Sequence, residues 1–401
     1  MNALVPARFH QAGRSALVAA LVAAALCGVG AVLNRPQFFH SWLVAWTFFT
    51  GIACGALVIV MMQALTGGAW GVAVRRFAEA AMLTLPLMAL LFVPVLIGVH
   101  DLFPWSRADT MAAHPKWQHK QGYLNLPFFA ARGFVCLALL SGLAFLLRHW
   151  SVQQDQMAAG MLPAKRVRAL SAGGLVVYVL CMNFASTDWV MSLEPDWYST
   201  IFVVIFMAGH FLTALALMTA LLAFFAGRAP FESAISTKHF HDLGNLLFTF
   251  VIFWVYVSFS QFLIIWSGNL PNEISWYLHR TSAGWKGMAL LLLLAQVALP
   301  LGLLLLRGMK RKRERLGTIA AMIVLADLLT VYWLIAPTFH PQGVRIHWLD
   351  FTTLIVVGGF WVAMFLWFLS RQPLLPLHPE EALLNFNAVR LSPVIEIRCL
   401  S

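Results

Sequence analysis

Charge is what this 401-residue chain lacks most. Only 11% of its residues are charged, against about 25% in a typical soluble domain. Acids are scarcer than bases, 16 against 27. With 61% hydrophobic residues and a mean hydropathy of +0.79, the chain cannot fold as a water-soluble globule without exposing apolar surface. Cysteine is also sparse: positions 27, 54, 136, 181 and 399, none in a C-x-x-C pair. Four of the five fall in apolar runs, where Cys behaves as a small hydrophobe. A disulfide framework, a zinc site and an iron–sulfur site are therefore not expected. No glycine-rich phosphate loop, catalytic triad or metal-ligand spacing is present. A b-type haem needs two histidines facing each other, and only His210 falls at mid-run depth, so haem is not expected either. The chain offers no visible means of handling single electrons.

What is abundant is long apolar runs. Ten are long enough to cross a bilayer, at roughly 15–33, 39–65, 77–99, 126–147, 169–187, 199–226, 244–267, 286–306, 317–336 and 349–370. Backbone groups in hydrocarbon must be satisfied within the segment, so runs of this length predict helices and an all-α integral membrane protein with ten transmembrane helices. The first run follows "RFHQAGRS" in the order of a signal peptide, but it is long and no A-x-A site follows, so a retained anchor is expected.

The net charge of +11 is not spread evenly. Alternating the connections puts 19 of the 27 Lys and Arg on the side of the N-terminus, including "RGMKRKRER", and eight on the other. The positive-inside rule then places both termini in the cytoplasm, consistent with an even number of spans. The basic run reads as a topology signal with anionic lipid as its partner, and no nucleic acid is expected.

The polar residues among the runs are the functional candidates. "NFASTDWVMSLEPDWYSTIF", residues 183–202, gathers Asp188, Glu194 and Asp196 with Trp189, Trp197 and Tyr198 on the non-cytoplasmic side. An aromatic interfacial belt explains the rings. Asp188 ends an apolar run, where an acid is costly unless it is paired or faces a polar cavity. His100 and Asp101 end the third run at the same level, and Arg132 lies about two turns into the fourth. The outer 3–4 connection adds His114, Lys116, His119 and Lys120. His and Asp near lipid could accept the protons a quinol sheds, with Arg132 holding Asp101 or Asp188 ionised. A structural Arg–Asp pair explains Arg132 equally well. Deeper lie Asp327 and His210, the polar seventh run (Asn245, Thr249, Tyr256, Ser258, Ser260, Gln261), and Glu79 near the cytoplasmic start of the third. Ionisable groups at mid-bilayer predict a functional path such as a proton relay.

Four segments carry a resemblance: "LFPWSRAD…WQHKQGYLNLPFFAARG", "FASTDWVMSLEPDWYSTIF", "KHFHDLGNLLFTFVIFWVYVSFSQFLIIWSGNLPNEISWYL" and "FHPQGVRIHWLDFTTLIVVGGFW". In order, from about residue 35 to 370, they resemble the ActF subunits of bacterial alternative complex III, members of the NrfD/PsrC-like integral membrane family. His239 to Leu278 is the most specific stretch. The resemblance implies two four-helix bundles, spans 2–5 and 6–9, with spans 1 and 10 peripheral. The expected units are 1–38 (N-terminus and anchor), 39–190 and 191–340 (the bundles), and 341–401 (last helix and cytoplasmic tail).

It also implies a bacterial inner-membrane setting. Quinol would be oxidised, and electrons would pass through periplasmic iron–sulfur and multihaem cytochrome subunits to a cytochrome c or an oxidase. The partners implied are those subunits and an ActC-like sister, with quinone or menaquinone as the small molecule. Asp188 matches an acid near the sister subunit's quinol site. Met182 stands where that site has His, and Asp196 where relatives tend to have His. The first departure weakens quinol chemistry in this subunit and leaves proton conduction and scaffolding standing. The expected path then includes Asp327, His210, Glu79, Tyr256 and Gln261. A secondary transporter, to which Pro86 and Pro94 in the third run would point, and a purely structural scaffold are the rival classes.

Overall fold

An apolar run in hydrocarbon satisfies its amides chiefly by closing i→i−4 bonds on itself, and the long runs here are helical, with breaks in two of them. The computed structural model describes residues 7–156, 163–228 and 231–371; the expected tail, with Arg390, Arg398 and Cys399, lies outside the described residues. It is an all-α integral membrane architecture. Among the described residues, ten helices are long and apolar enough to cross a membrane: Phe9–Leu33, Arg35–Thr66, Trp70–Ile97, Leu126–Gln153, Lys165–Leu193, Phe202–Phe225, Thr237–Gly268, Trp285–Leu305, Arg313–Phe339 and Trp348–Ser370. We number these spans 1 to 10. Among the described residues there is no strand.

Span 2 is the centre. Its most apolar stretch is 94% buried, against 22% for spans 1, 7 and 8. Spans 2, 3, 4 and 5 pack around one ring and spans 6, 7, 8 and 9 around a second; span 2 joins them by packing on span 6, and spans 1 and 10 pair with each other alongside span 2. The joint is tight because two glycines face span 6. A Cβ on Gly55 would lie 1.9 Å from the backbone oxygen of His210, and one on Gly51 2.7 Å from the His210 ring. Small residues that let backbones meet are how helices associate where no hydrophobic force separates helix from lipid.

Successive spans run in opposite directions, giving two faces. The basic face carries the 2–3, 4–5, 6–7 and 8–9 connections. The distal face carries the 3–4, 5–6, 7–8 and 9–10 connections. The 7–8 connection contains a surface helix, Pro271–Thr281.

Two spans are irregular. In span 3, Pro86 and Pro94 begin new short helices, Leu85–Leu90 and Val93–Ile97, because proline has no amide hydrogen to give. Indoles from span 2 donate to carbonyls at these breaks: Trp46 to Met88 at 2.8 Å and Trp42 to Leu91 at 3.0 Å. In span 8 a π-helical turn, Leu293–Ala298, precedes Pro300. It buries Gln296 with neither amide atom hydrogen-bonded. Such π-turns concentrate at functional sites.

Candidate functional site

The sequence candidates separate into four places. At the distal end of the first ring, Arg132 grips Asp188 with two parallel bonds, Nε to Oδ2 at 2.7 Å and a terminal nitrogen to Oδ1 at 2.9 Å. Its third nitrogen donates to the Tyr123 carbonyl at 3.1 Å. The guanidinium lies 3.7 Å from the Tyr123 ring centre and 4.1 Å from that of Phe128. Of the two partners considered for Arg132, it takes Asp188. Asp101 pairs instead with Arg35 of span 2 at 3.0 Å. His100 is exposed, with its Nδ1 3.2 Å from the Ser106 hydroxyl. Both Asp188 oxygens are engaged, and the fork between them is the strong, directional form of an ion pair.

Glu79 sits in a separate cluster near the basic face. Arg75, Arg76 and Arg148 reach it at 2.9, 2.7 and 2.5 Å, and the Ser151 hydroxyl donates to it as well. Tyr256 is elsewhere again, on the outward side of span 7 with 65% of its surface exposed.

The acids of the 5–6 connection staple the distal face together. Glu194 accepts from Arg280 at 2.7 Å, from Thr338 at 3.0 Å and meets His279 at 3.3 Å. Asp196 accepts from the Trp117 indole at 2.9 Å, and Lys120 donates to the Pro195 carbonyl at 2.5 Å. Trp197 stacks on Trp276 with ring centres 4.6 Å apart. This connection thus ties the 3–4 and 7–8 connections to each other, which accounts for Trp197 and for two of its acids. Arg280 is buried, and that burial pulls its pKa below the usual guanidinium range while the Glu194 carboxylate opposes the shift.

The remaining candidates converge. Inside the second ring is a cavity of about 810 Å³, lined from spans 6, 7, 8 and 9 and roofed by the surface helix Pro271–Thr281. His210, Asp327 and Gln261 all border it. His210 lies eight residues into span 6, roughly 12 Å from its distal end at ~1.5 Å per residue. Its ring packs on Phe206 at 4.2 Å, and its Nδ1 has no hydrogen-bond partner. Asp327 is buried near the middle of span 9 and, among the described residues, forms no ion pair. Thr213 is the hydroxyl beside its carboxyl. A charged carboxylate without a cation at that depth is costly, so it is a group built to take up a proton or to meet one.

The distal end of the cavity is polar. Ser199 donates to the Gln261 oxygen at 3.0 Å, and the Gln261 amide donates to the Tyr277 hydroxyl at 3.1 Å. Burial raises the Tyr277 pKa above 10.0, against the opposing hydrogen bond from Gln261 and charge of Arg280. Lys286 also borders this end. Between the two polar zones the walls are aromatic, with Phe202, Phe206, Trp254, Phe259, Phe262 and Trp333.

Gly209 carries no polar pattern that reading runs of hydropathy could find: a Cβ there would lie 3.7 Å from both Asp327 Oδ1 and Trp254 Nε1, so its missing side chain leaves a niche between a carboxylate and an indole donor. Ser258, one of the polar residues expected in the seventh run, borders the cavity as well, and its hydroxyl is unpartnered. Outside the cavity lining, the buried Gln296 of the span 8 π-turn was also missed, and a lone Gln in a leucine-rich run beside Pro300 was the available signal. Among the described residues, no group of three or more His, Cys, Asp or Glu side chains is placed to hold a metal ion. No protein-family model matches the chain, and no curated protein matches it.

Proposed function

We propose that this chain is a proton-handling membrane subunit of a quinol-oxidising respiratory assembly, with the redox centres on partner subunits. The observation that carries the reading is Asp327: a mid-membrane carboxyl with no cation partner among the described residues, bordering the same cavity as the unpartnered His210. A buried acid and a buried imidazole with a free ring nitrogen are groups that can each hold a proton and pass it through water in a cavity between them. The four segments that resemble ActF subunits supply the assembly: an ActC-like sister, iron–sulfur and multihaem cytochrome partners, and a cytochrome c or oxidase as acceptor. In this setting the basic face is cytoplasmic, both termini are cytoplasmic and the membrane is the bacterial inner membrane. The distal face, with its groove of about 620 Å³ between Trp117, Glu194, Asp196 and His279, faces the partners.

Asp188 is better read as a lock than as a quinol base, since Arg132 holds both of its oxygens. Glu79, held by three arginines, is a structural anchor of the basic face. The interrupted spans 3 and 8 and the mid-depth cavity favour one other reading, a secondary transporter with its substrate site in the second ring.

Purification of the tagged chain in a mild detergent, with haem staining and mass spectrometry, separates the two. Co-purifying multihaem and iron–sulfur subunits support the assembly; a haem-free single species supports the transporter. Within the assembly, Asp327→Asn should leave subunit composition unchanged and lower proton coupling. Wild-type coupling in that variant overturns the relay.

A further inference from the structure

We propose that the basic face carries a binding site for one anionic phospholipid, seated in a groove between the ends of spans 6 and 9. Its phosphate lies at Arg228 and Arg313, and an acyl chain runs down the groove below them. The site is separate from the second-ring cavity, and it does not rest on the proton-handling reading above. It also differs from the general attraction of a basic connection to a charged bilayer, because it has walls and a fixed place.

The first argument is the groove itself. A space of about 520 Å³ opens between spans 6 and 9 at the basic face, within the usual range of ~300–1,000 Å³ for small-molecule sites. The two spans pack on each other, and closely: a Cβ on Gly317 would lie 2.7 Å from the Cβ of Ala223. Both residues border the groove, which runs alongside that contact. Its outer wall, with Phe224, Thr318 and Ala321, is exposed. In a bilayer that wall meets lipid.

The second argument is the order of polarity with depth. Arg228 and Arg313 border one end of the groove, and Ala220 and Ala321 border the other. Each alanine is eight residues from the arginine on its own side, roughly 12 Å at ~1.5 Å per residue. The two sides therefore match: cationic at the membrane surface, apolar as they descend. That is the order of a phospholipid, charged head first and hydrocarbon below. A soluble phosphate would occupy the rim alone.

The third argument is the disposition of charge. The Arg313 guanidinium lies across Gly227, where a Cβ would strike its terminal nitrogens. Its Nε donates to the Glu314 carboxylate at 2.6 Å, and the two terminal nitrogens have no hydrogen-bond partner among the described residues. The Arg228 guanidinium rests on the Phe224 ring, 4.4 Å from its centre, and forms no ion pair among the described residues. Two cations thus face one carboxylate at the rim, and Arg311, Lys312 and Arg315 adjoin them in sequence. Guanidinium groups with free donors suit a phosphate. The surplus of positive charge favours a head with no ammonium of its own, which selects an anionic lipid over a zwitterionic one.

The test titrates the purified full chain, in a mild detergent, with dioleoyl phosphatidylglycerol and separately with dioleoyl phosphatidylcholine, and counts retained lipid by native mass spectrometry. One phosphatidylglycerol should be held more tightly than any phosphatidylcholine. Arg228→Gln combined with Arg313→Gln should weaken its affinity roughly ten-fold or more, the loss of charge-assisted hydrogen bonds. Arg311→Gln combined with Lys312→Gln removes the same charge from the same face outside the groove and should leave the affinity nearly unchanged. Ala321→Phe keeps every charge, sits at an exposed position where it is expected to fold, and fills the apolar end; it should weaken binding too. Equal losses in the two double variants would mean diffuse attraction and overturn the site. So would the absence of a preference for phosphatidylglycerol, or an unaltered affinity in Ala321→Phe. Displacement of the lipid by millimolar inorganic phosphate would assign the arginines to a soluble anion and overturn the lipid.

Discussion

At the scale of single residues, the same side-chain type takes opposite roles according to what surrounds it. Asp188 and Asp327 are both buried acids in apolar spans. Asp188 has a bidentate guanidinium, and Asp327 has no cation among the described residues. Breaking a buried pair by removing one partner leaves an uncompensated charge, at a cost of about 3–5 kcal/mol. Arg132→Leu should therefore lower the unfolding temperature sharply in detergent. The double variant Arg132→Leu with Asp188→Leu should recover most of that loss, and a thermal melt of the three proteins decides it. If the double variant melts no higher than the single one, the pair is more than a lock.

A second residue-scale prediction concerns acid. His340, at the distal end of span 9, shares its Nε2 with the Gln37 oxygen at 3.1 Å. Burial pushes its pKa below the ordinary 6.5; nearby Arg345 and His347 push the same way, and Asp350 opposes them. The unfolded chain thus binds the proton more readily than the folded one. The stability contributed by neutral His340 is fully present above about pH 6.5 and falls as pH drops from there through the lowered folded-state value. His340→Gln should flatten the dependence of the melting temperature on pH in that window. An unchanged slope would assign the acid sensitivity to another group.

At the scale of elements, the ten spans were legible because runs of this length in hydrocarbon admit one solution, the helix. Their ends were not. Span 7 was expected from residue 244 and begins at Thr237, because "TKHFHDL" is polar yet helical: His239 closes a capping box with Ser236, and Lys310 from the basic 8–9 connection donates to Asn245 at 2.7 Å. Hydropathy counts side chains, and these polar ones are satisfied locally. The surface helix Pro271–Thr281 was missed for the same reason, since its work is to bury Trp276 and Arg280.

The interior breaks were half-visible. Prolines mark where spans 3 and 8 are interrupted, but not whose indoles repair the freed carbonyls. The site was legible in its acid and its histidine, and illegible in Gly209, whose contribution is the volume it leaves empty. The joint between the rings gives the element-scale prediction. Gly55→Leu would force the side chain into the His210 backbone and should reduce the yield of folded, monodisperse protein. Gly28→Leu, where a Cβ meets nothing within 4 Å, should not. Size-exclusion profiles of the two variants make the comparison, and equal profiles would mean that spans 2 and 6 are not the joint.

At the scale of the whole molecule, the two faces differ in kind, and the proposed function requires a particular orientation for them. The basic face gathers Lys and Arg, among them the 8–9 connection with Lys310, Arg311, Lys312 and Arg313. The distal face carries the longer connections, cross-linked by Glu194 and Asp196, and the roof of the cavity. Lys and Arg near span ends are retained on the cytoplasmic side during insertion. The distal face should then be outside.

Two exposed positions read this out, Ser282 on the distal 7–8 connection and Glu314 at the basic end of span 9. The native cysteines at 27, 54, 136 and 181 are buried, and Cys399 would be replaced by serine. Ser282→Cys should react with a membrane-impermeant maleimide in intact cells, and Glu314→Cys only after the membrane is opened. The reverse pattern would put the Asp327 cavity roof on the cytoplasmic side. A relay that opens there would exchange protons with the cytoplasm, and the orientation in the proposed function would have to be inverted.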